Sequence, residues 1–299
     1  MEVQSLSVVV PTKGCVNDCA FCVSHMHDSP YPNLIWPKKP GSLHRLVEED
    51  YRRRLQFARD NGCNTMVLTG TGEPLQNRPF LNNLGTWNTD RFMVRPFRWV
   101  DFQTTGIMLL DEGVLDDLKY NVGVTTIALS MVHPFNADAN FAIQGTPQQL
   151  QFHYGELFAA LRERNFTIRV CFNMTKDLLG THDAAETFEW LRQQGVHQAT
   201  FRVLYSTEGI ECEQNQWISE HGASAAAVQR WVGDYIREHG RPLEKLPFGA
   251  RRYSVGGIST VIDGDCMTPD TEREGIRYLI LQPNCKLYTR WDDPGSILF

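Results

Sequence analysis

Short β-branched, apolar runs alternate with longer amphipathic stretches along most of the chain, and this alternation limits the possible folds. Runs at 5–11, 65–69, 99–105, 125–131, 167–173 and 199–205 read as buried strands. Stretches at 48–60, 80–86, 112–120, 147–165, 183–194 and 224–239 read as helices. Around the first of them Tyr51, Leu55 and Ala58, with Leu46 just before it, fall near one side, and Asn61-Gly62 ends it. Strand-helix alternation of this kind predicts a parallel sheet wrapped by helices. Six β-α units are too few for the eight of a closed barrel, so an open, partial (β/α)6 barrel is expected. Beyond Gly240 the texture changes. Segments 253–262 and 277–288 read as antiparallel strands, with Asp263-Gly264 and Pro283-Asn284 as turns. Residues 1–240 are thus expected to form the core, and 241–299 a short β-rich extension.

A chain of 299 residues can bury one large core. Hydrophobic residues at 42% and charged residues at 21% are ordinary for a soluble enzyme. No apolar run approaches the roughly 18 residues that a membrane span needs. The first residues lack the basic region and apolar stretch of a signal peptide, so a cytoplasmic location is expected. A formal charge of −6 argues against a dedicated nucleic-acid surface. The basic clusters Arg52-Arg53-Arg54 and Arg251-Arg252 are short and read as solvated faces.

Three of the eight cysteines stand together, Cys15, Cys19 and Cys22, directly after the first strand. In a reducing compartment such a group points to metal binding or catalysis. Three thiolates on one tight loop suit an iron–sulfur cluster or zinc. A structural zinc ion would need a fourth ligand, from His25, His27 or a distant cysteine. A four-iron cluster on three cysteines keeps one iron open, and open sites serve catalysis. The loop also follows a strand end, where parallel α/β folds carry their chemistry. The remaining cysteines, Cys63, Cys171, Cys212, Cys266 and Cys285, are scattered, and ordinary burial is the default for each.

The run Cys15-x3-Cys19-Ala20-Phe21-Cys22, with its aromatic residue before the last thiol, resembles the radical S-adenosylmethionine superfamily. The resemblance covers roughly residues 5–207 and implies a TIM-like partial barrel. It also implies a [4Fe–4S] cluster on Cys15, Cys19 and Cys22, with Phe21 beside the cofactor. In that family S-adenosylmethionine chelates the open iron, and one-electron reduction yields a 5′-deoxyadenosyl radical that abstracts a substrate hydrogen. A reductant such as flavodoxin or ferredoxin is the implied partner. Gly70-Thr71-Gly72-Glu73-Pro74 resembles the family's Gly-Gly-Glu-Pro turn, with Thr71 in place of the first glycine. By that match Thr71, Gly72 and Glu73 receive the ammonium group of S-adenosylmethionine, where missing side chains allow close approach. Thr104-Thr105-Gly106 resembles a Thr-Asn-Gly turn, which brings in Thr105, and Ser130 stands where the family contacts the ribose or carboxylate.

Period-two alternation on the fifth strand puts Arg169, Cys171 and Asn173 on one face, expected to line the barrel. Arg169 suits the cofactor carboxylate. Asn173 suits its ribose or the substrate, and Arg202 on the sixth strand is similarly placed. Salt bridges within the fold are the competing reading for both arginines. Cys171 reads more readily as a small buried residue than as a radical quencher. Cys266 and Cys285 lack the close spacing of an auxiliary cluster, and His25, His27 and Asp28 read as loop residues.

The expected reaction is hydrogen abstraction from a small-molecule or nucleotide-derived substrate, selected in part by the extension. No catalytic residue for the substrate step stands out, nor does a membrane partner. Gly72-Glu73-Pro74-Leu75 with Ala128-Leu129-Ser130 also resembles the RNA adenine methyl synthases, which need an acceptor cysteine; Cys266 or Cys285 would have to serve. Enzymes like the 7-deazaguanine synthase and the molybdenum-cofactor cyclase are alternatives. A non-enzymatic iron–sulfur or zinc module is the rival from another class.

Overall fold

The computed structural model describes residues 3–26, 42–89, 97–206, 209–246, 249–264, 276–291 and 293–298. One sheet takes strands from all but the last of these segments. Its strands are β1 (Val3–Val9), β2 (Thr65–Thr69), β3 (Trp99–Thr104), β4 (Thr126–Met131), β5 (Thr167–Met174) and β6 (Gln198–Val203). They are followed by β7 (Gly240–Lys245), β8 (Arg251–Val255), β9 (Ile258–Asp263), β10 (Ile276–Leu281) and β11 (Leu287–Tyr288). The spatial order is β11-β10-β1-β2-β3-β4-β5-β6-β9-β8-β7, so the sheet is open and does not close on itself. Strands β1 to β6 are parallel neighbours, as the alternation predicts.

The extension does something the sequence does not announce. Instead of a purely antiparallel appendage, it supplies one parallel strand to each edge of the core sheet. β9 runs parallel to β6, and β10 runs parallel to β1. β8 then joins β9, β7 joins β8 and β11 joins β10, each antiparallel. Segment 253–262 is not a single strand: Gly256 and Gly257, both with positive φ, turn the chain between β8 and β9. Asp263 is the last residue of β9 rather than a turn residue.

Alternation along each strand divides the sheet into two faces. Leu6, Val8, Met66, Leu68, Val100, Phe102, Ile127, Leu129, Val170, Phe172 and Phe201 point outward and form the main core with the helices. Phe172 stacks on Phe201 at 5.3 Å, and Phe188 meets Phe201 from the helix Ala184–Gln193. Each such aromatic contributes about 1.5–3 kcal/mol by leaving water. The inner face is polar over β3 to β6, but Val9, Ile280 and Tyr288 form a separate apolar cluster at its β1 side, with Trp291 against it.

Helix boundaries differ from expectation in a few places. The first long helix is Ser42–Asp60, six residues longer at its start than the periodicity suggests, and its buried side carries Tyr51, Leu55 and Ala58. Expected helix 147–165 begins only at Tyr154. A single 3-10 turn covers Gln148–Leu150, and Phe152 is drawn out of helix geometry to pack on Phe141 and Tyr154. The stretch after Ser224, which caps through Ala227 N–H at 3.2 Å, contains a wider turn at Gln229–Gly233. A helix at Glu213–His221 has no counterpart in the sequence reading. No described helix is long and apolar enough to cross a membrane.

Candidate active site

The cysteine loop leaves the carboxyl end of β1 and turns at Gly14, whose φ of +83° suits glycine. Cys22 N–H donates to Cys19 O at 3.0 Å, and His25 N–H to Cys22 O at 3.1 Å, which winds the loop into the short helix Val23–Met26. All three thiols are free and partly exposed. Burial pushes the Cys15 thiol up, while amide N–H groups of Asn17 and Glu73 pull it down. Cys19 is pushed up by burial, then by Cys22 and Cys15. Thiols raised in this way, Cys15 and Cys19, favour the protonated form alone and release their protons when a cation binds. Among the described residues, no three His, Cys, Asp or Glu side chains converge to hold a single metal ion.

Two segments hold this loop in place. On one side, Asp18 N–H donates to Gln144 O at 3.1 Å and Ala20 N–H to Ile143 O at 3.0 Å. Gly145 follows with φ +58°, and a Cβ there would lie 2.5 Å from Asp18 O. On the other side, Gln76 Oε1 accepts from both Val16 N–H (3.1 Å) and Glu73 N–H (3.2 Å). A Cβ on Gly72 would lie 2.3 Å from Gly14 O and 2.5 Å from Thr12 Oγ1. Glycine at 72 is therefore what lets the second strand's turn touch the cysteine loop. Thr71, at the tip of that turn, is exposed.

Glu73 is 3% exposed, and burial raises its carboxyl to about 7 against hydrogen bonds that favour the charged form. Thr105 donates to Oε2 through its N–H (3.1 Å) and its hydroxyl (3.3 Å). Asn17 Nδ2 in turn donates to Thr105 Oγ1 at 2.8 Å, so the cysteine loop, the β2 turn and the end of β3 share one network. A second network lies beside it. Asn173 Nδ2 donates to Ser130 Oγ, and Gln144 Nε2 donates to Ser130 O, both at 2.9 Å. The buried oxygens Thr12 Oγ1, Asn17 Oδ1 and Gln144 Oε1 have no partner among the described residues. Buried acceptors without donors call for a ligand that brings N–H or O–H groups.

Cys15, Cys19, Cys22, Gly72, Glu73, Thr105, Ser130 and Asn173 thus gather at the carboxyl ends of β1 to β5. Phe21 lies with its ring 5.9 Å from that of Trp217. The two arginines are engaged elsewhere. Arg169 lies deeper, donating from Nη1 to Asp101 Oδ2 and from Nε to Gln198 Oε1, each at 2.7 Å. It reaches Asp101 across β4, where its register partner is the small Ala128. Arg202 faces Asp263 of the extension at 3.4 Å, on the β6–β9 flank. Cys171 is buried on the inner face, in register with Ser130 and Thr200. Cys285 packs in the main core near helix Ser42–Asp60, on the opposite face of the sheet from the site. His25 pairs with Asp18 at 3.6 Å, while His27, Asp28 and Cys266 lie outside the described residues. Asn17, Gln76, Gln144 and Gly145 were not singled out from sequence. Their roles depend on segments far apart in the chain, and only the position of Asn17 inside the cysteine run hinted at one.

No protein-family model matches this chain, and no curated protein matches it. Solved structures do. SuiB from Streptococcus suis, bound to S-adenosylmethionine, superposes with a TM-score of 0.59 at 15% identity over 96% of this chain and 60% of its own. The enzyme anSMEcpe with bound AdoMet gives 0.55 at 14% identity, over 96% of this chain and 74% of its own. A radical SAM methyltransferase from Sphaerobacter thermophilus gives 0.54 at 17% identity, over 88% and 66%. The chain therefore has the fold of the radical SAM enzymes, and it spans 60% of the length of SuiB.

Proposed function

We propose that this chain is a radical S-adenosylmethionine enzyme whose cluster is held by Cys15, Cys19 and Cys22. The observation that carries the reading is the junction of the three-thiol loop with a buried Glu73, linked through Gln76 and the amide hydrogen bonds at Cys15. The donor set fits the group: three free thiols, a glycine turn without room for a side chain, and buried acceptors lacking donors. When bound, a [4Fe–4S] cluster supplies the electron that cleaves the sulfonium of S-adenosylmethionine and so produces the hydrogen-abstracting radical.

The residues of the chain have separate tasks in this reading. Glu73 and the backbone around Thr71 and Gly72 receive the ammonium group. A carboxyl held near 7 by burial ionises readily once a cation arrives beside it. Thr105 and Asn17 fix that carboxylate's orientation. Ser130 and Asn173 meet the ribose hydroxyls, with Gln144 holding the end of β4. Arg169 serves the inside of the barrel through Asp101 rather than the cofactor carboxylate. The mouth flank bearing Arg202 and Asp263 faces a small or nucleotide-derived substrate, and the reductant is a flavodoxin- or ferredoxin-like protein.

The test is anaerobic loading with iron and sulfide, reduction with dithionite and addition of S-adenosylmethionine. Formation of 5′-deoxyadenosine is expected, and its loss in Cys19→Ala together with loss of iron. An intact, reducible cluster that yields no 5′-deoxyadenosine would overturn the enzyme reading in favour of an electron-transfer module.

A further inference from the structure

The helix Glu213–His221 lies against the cysteine loop rather than on the outer surface of the barrel. One end is firmly tied to the rim of β5. Lys176 Nζ donates to Ser219 O (3.0 Å) and Glu220 O (2.7 Å). Thr175 bridges Gly222, and Ala223 N–H donates to Met174 O at 3.0 Å. Ile218 is buried beneath. From that anchor the helix presents Trp217, whose ring lies 5.9 Å from Phe21 of the loop and 4.8 Å from His221 one turn on. The short helix Val23–Met26, which begins right after Cys22, packs on the same helix.

The loop is therefore held on three sides by different forces. Segment 143–145 holds it by backbone hydrogen bonds at Asp18 and Ala20, and the Gln76 side chain accepts from Val16 N–H. The third side flanks Cys22: Phe21 before it meets the Trp217 ring, which has His221 beside it, and the helix that starts at Val23 packs on the same element. Ring contacts exclude water over a wide area without fixing hydrogen-bond geometry.

We infer that helix Glu213–His221 is a cover for the cysteine loop, with Trp217 as the positioning residue that limits access of solvent and oxidants to Cys22. The cover matters for function only if the loop carries the proposed cluster, but its geometry is testable without one. In cluster-free protein, alkylation of Cys15, Cys19 and Cys22 by iodoacetamide is followed by peptide mass spectrometry. Trp217→Ala accelerates modification of Cys22 on the order of fivefold, the effect of making a local opening about 1 kcal/mol easier. Cys15, held by Glu73 and Gln76 on the far side, changes little. Trp217→Phe, which keeps a ring against Phe21, restores the slow rate. An unchanged rate at Cys22 overturns the inference, and so does equal acceleration at Cys15 and Cys22, which reports a loosened fold. In loaded protein, Trp217→Ala shortens the lifetime of the visible absorbance in air, and an unaltered lifetime overturns the inference as well. Failure to load any cluster counts against the proposed function alone, because the alkylation result stands without it.

Discussion

Thr105 offers Glu73 two donors at once, its amide N–H at 3.1 Å and its hydroxyl at 3.3 Å, both to Oε2. The hydroxyl also accepts from Asn17, so one oxygen couples the cysteine loop to the buried carboxylate. Thr105→Val keeps the shape and the amide but removes this link, leaving the side-chain amide of Asn17 without its acceptor. A loss of about 1–3 kcal/mol is expected in urea unfolding of the cluster-free protein. Thr105→Ser, which keeps the oxygen, should recover most of it.

Glu73 gives the fold a pH dependence of definite sign. Burial raises its carboxyl from 4.5 to about 7, so the native state keeps this proton to higher pH than the unfolded chain does. The associated stability is full below about 4.5 and is lost as pH rises through about 7. Its size is about 3.5 kcal/mol at most, from about 1.4 kcal/mol per pH unit. Glu73→Gln should remove this slope from urea midpoints measured between pH 4.5 and 8. Burial pulls His133 down, which slopes the other way. The difference between the two proteins is thus the quantity to read. An equal slope in both would refute the assignment.

Gly72→Ala should act on the cysteine loop rather than on the strand that bears it. The added methyl would meet Gly14 O and Thr12 Oγ1 far inside contact distance, and the first of these is backbone. Relief requires moving the turn before Cys15, at about 1–3 kcal/mol. Iron and sulfide bound per chain should fall well below that of the unaltered protein under identical loading. Full loading in the variant would show that the two loops are less closely joined.

Asp101 and Arg169 form an ion pair inside the barrel, with the carboxylate nearly buried and the guanidinium partly open to solvent. Asp101→Leu leaves the arginine with Gln198 alone and should cost about 2–4 kcal/mol, less than for a fully buried pair because Arg169 retains some water. Adding Arg169→Leu should return much of that stability. Chemical denaturation of the three variants in parallel checks it. A double variant no more stable than Asp101→Leu alone would mean that the pair does more than cancel its own charges.

What could be read from sequence was local. Three cysteines in one short run, a glycine–glutamate turn and polar alternation on β5 each express themselves within a few neighbouring residues. The six parallel strands of the core follow from strand-helix periodicity in the same way. Pairing partners are a different matter. Pro283-Asn284 marked the turn between β10 and β11 while the bend at Gly256-Gly257 went unread, and nothing local says that β9 will lie beside β6 or β10 beside β1. Arg169 shows the same limit on a smaller scale. Its face was legible, but the acid it meets sits two strands away, accessible because Ala128 between them is small. Helix Glu213–His221 lacks strong amphipathic spacing, and its place is set by the rim of β5 and the cysteine loop.

The pairing of β1 with β10 also dictates a timetable. Val3 finds Ile276 as its partner, so the residues up to Ile276 must leave the ribosome before β1 is covered on that side. Until then the strand that launches the cysteine loop has one row of backbone groups open to other chains. Contacts between residues this distant in sequence form slowly. Support for the loop at residues 14–22 is therefore complete only once β10 has been made, long after the loop itself.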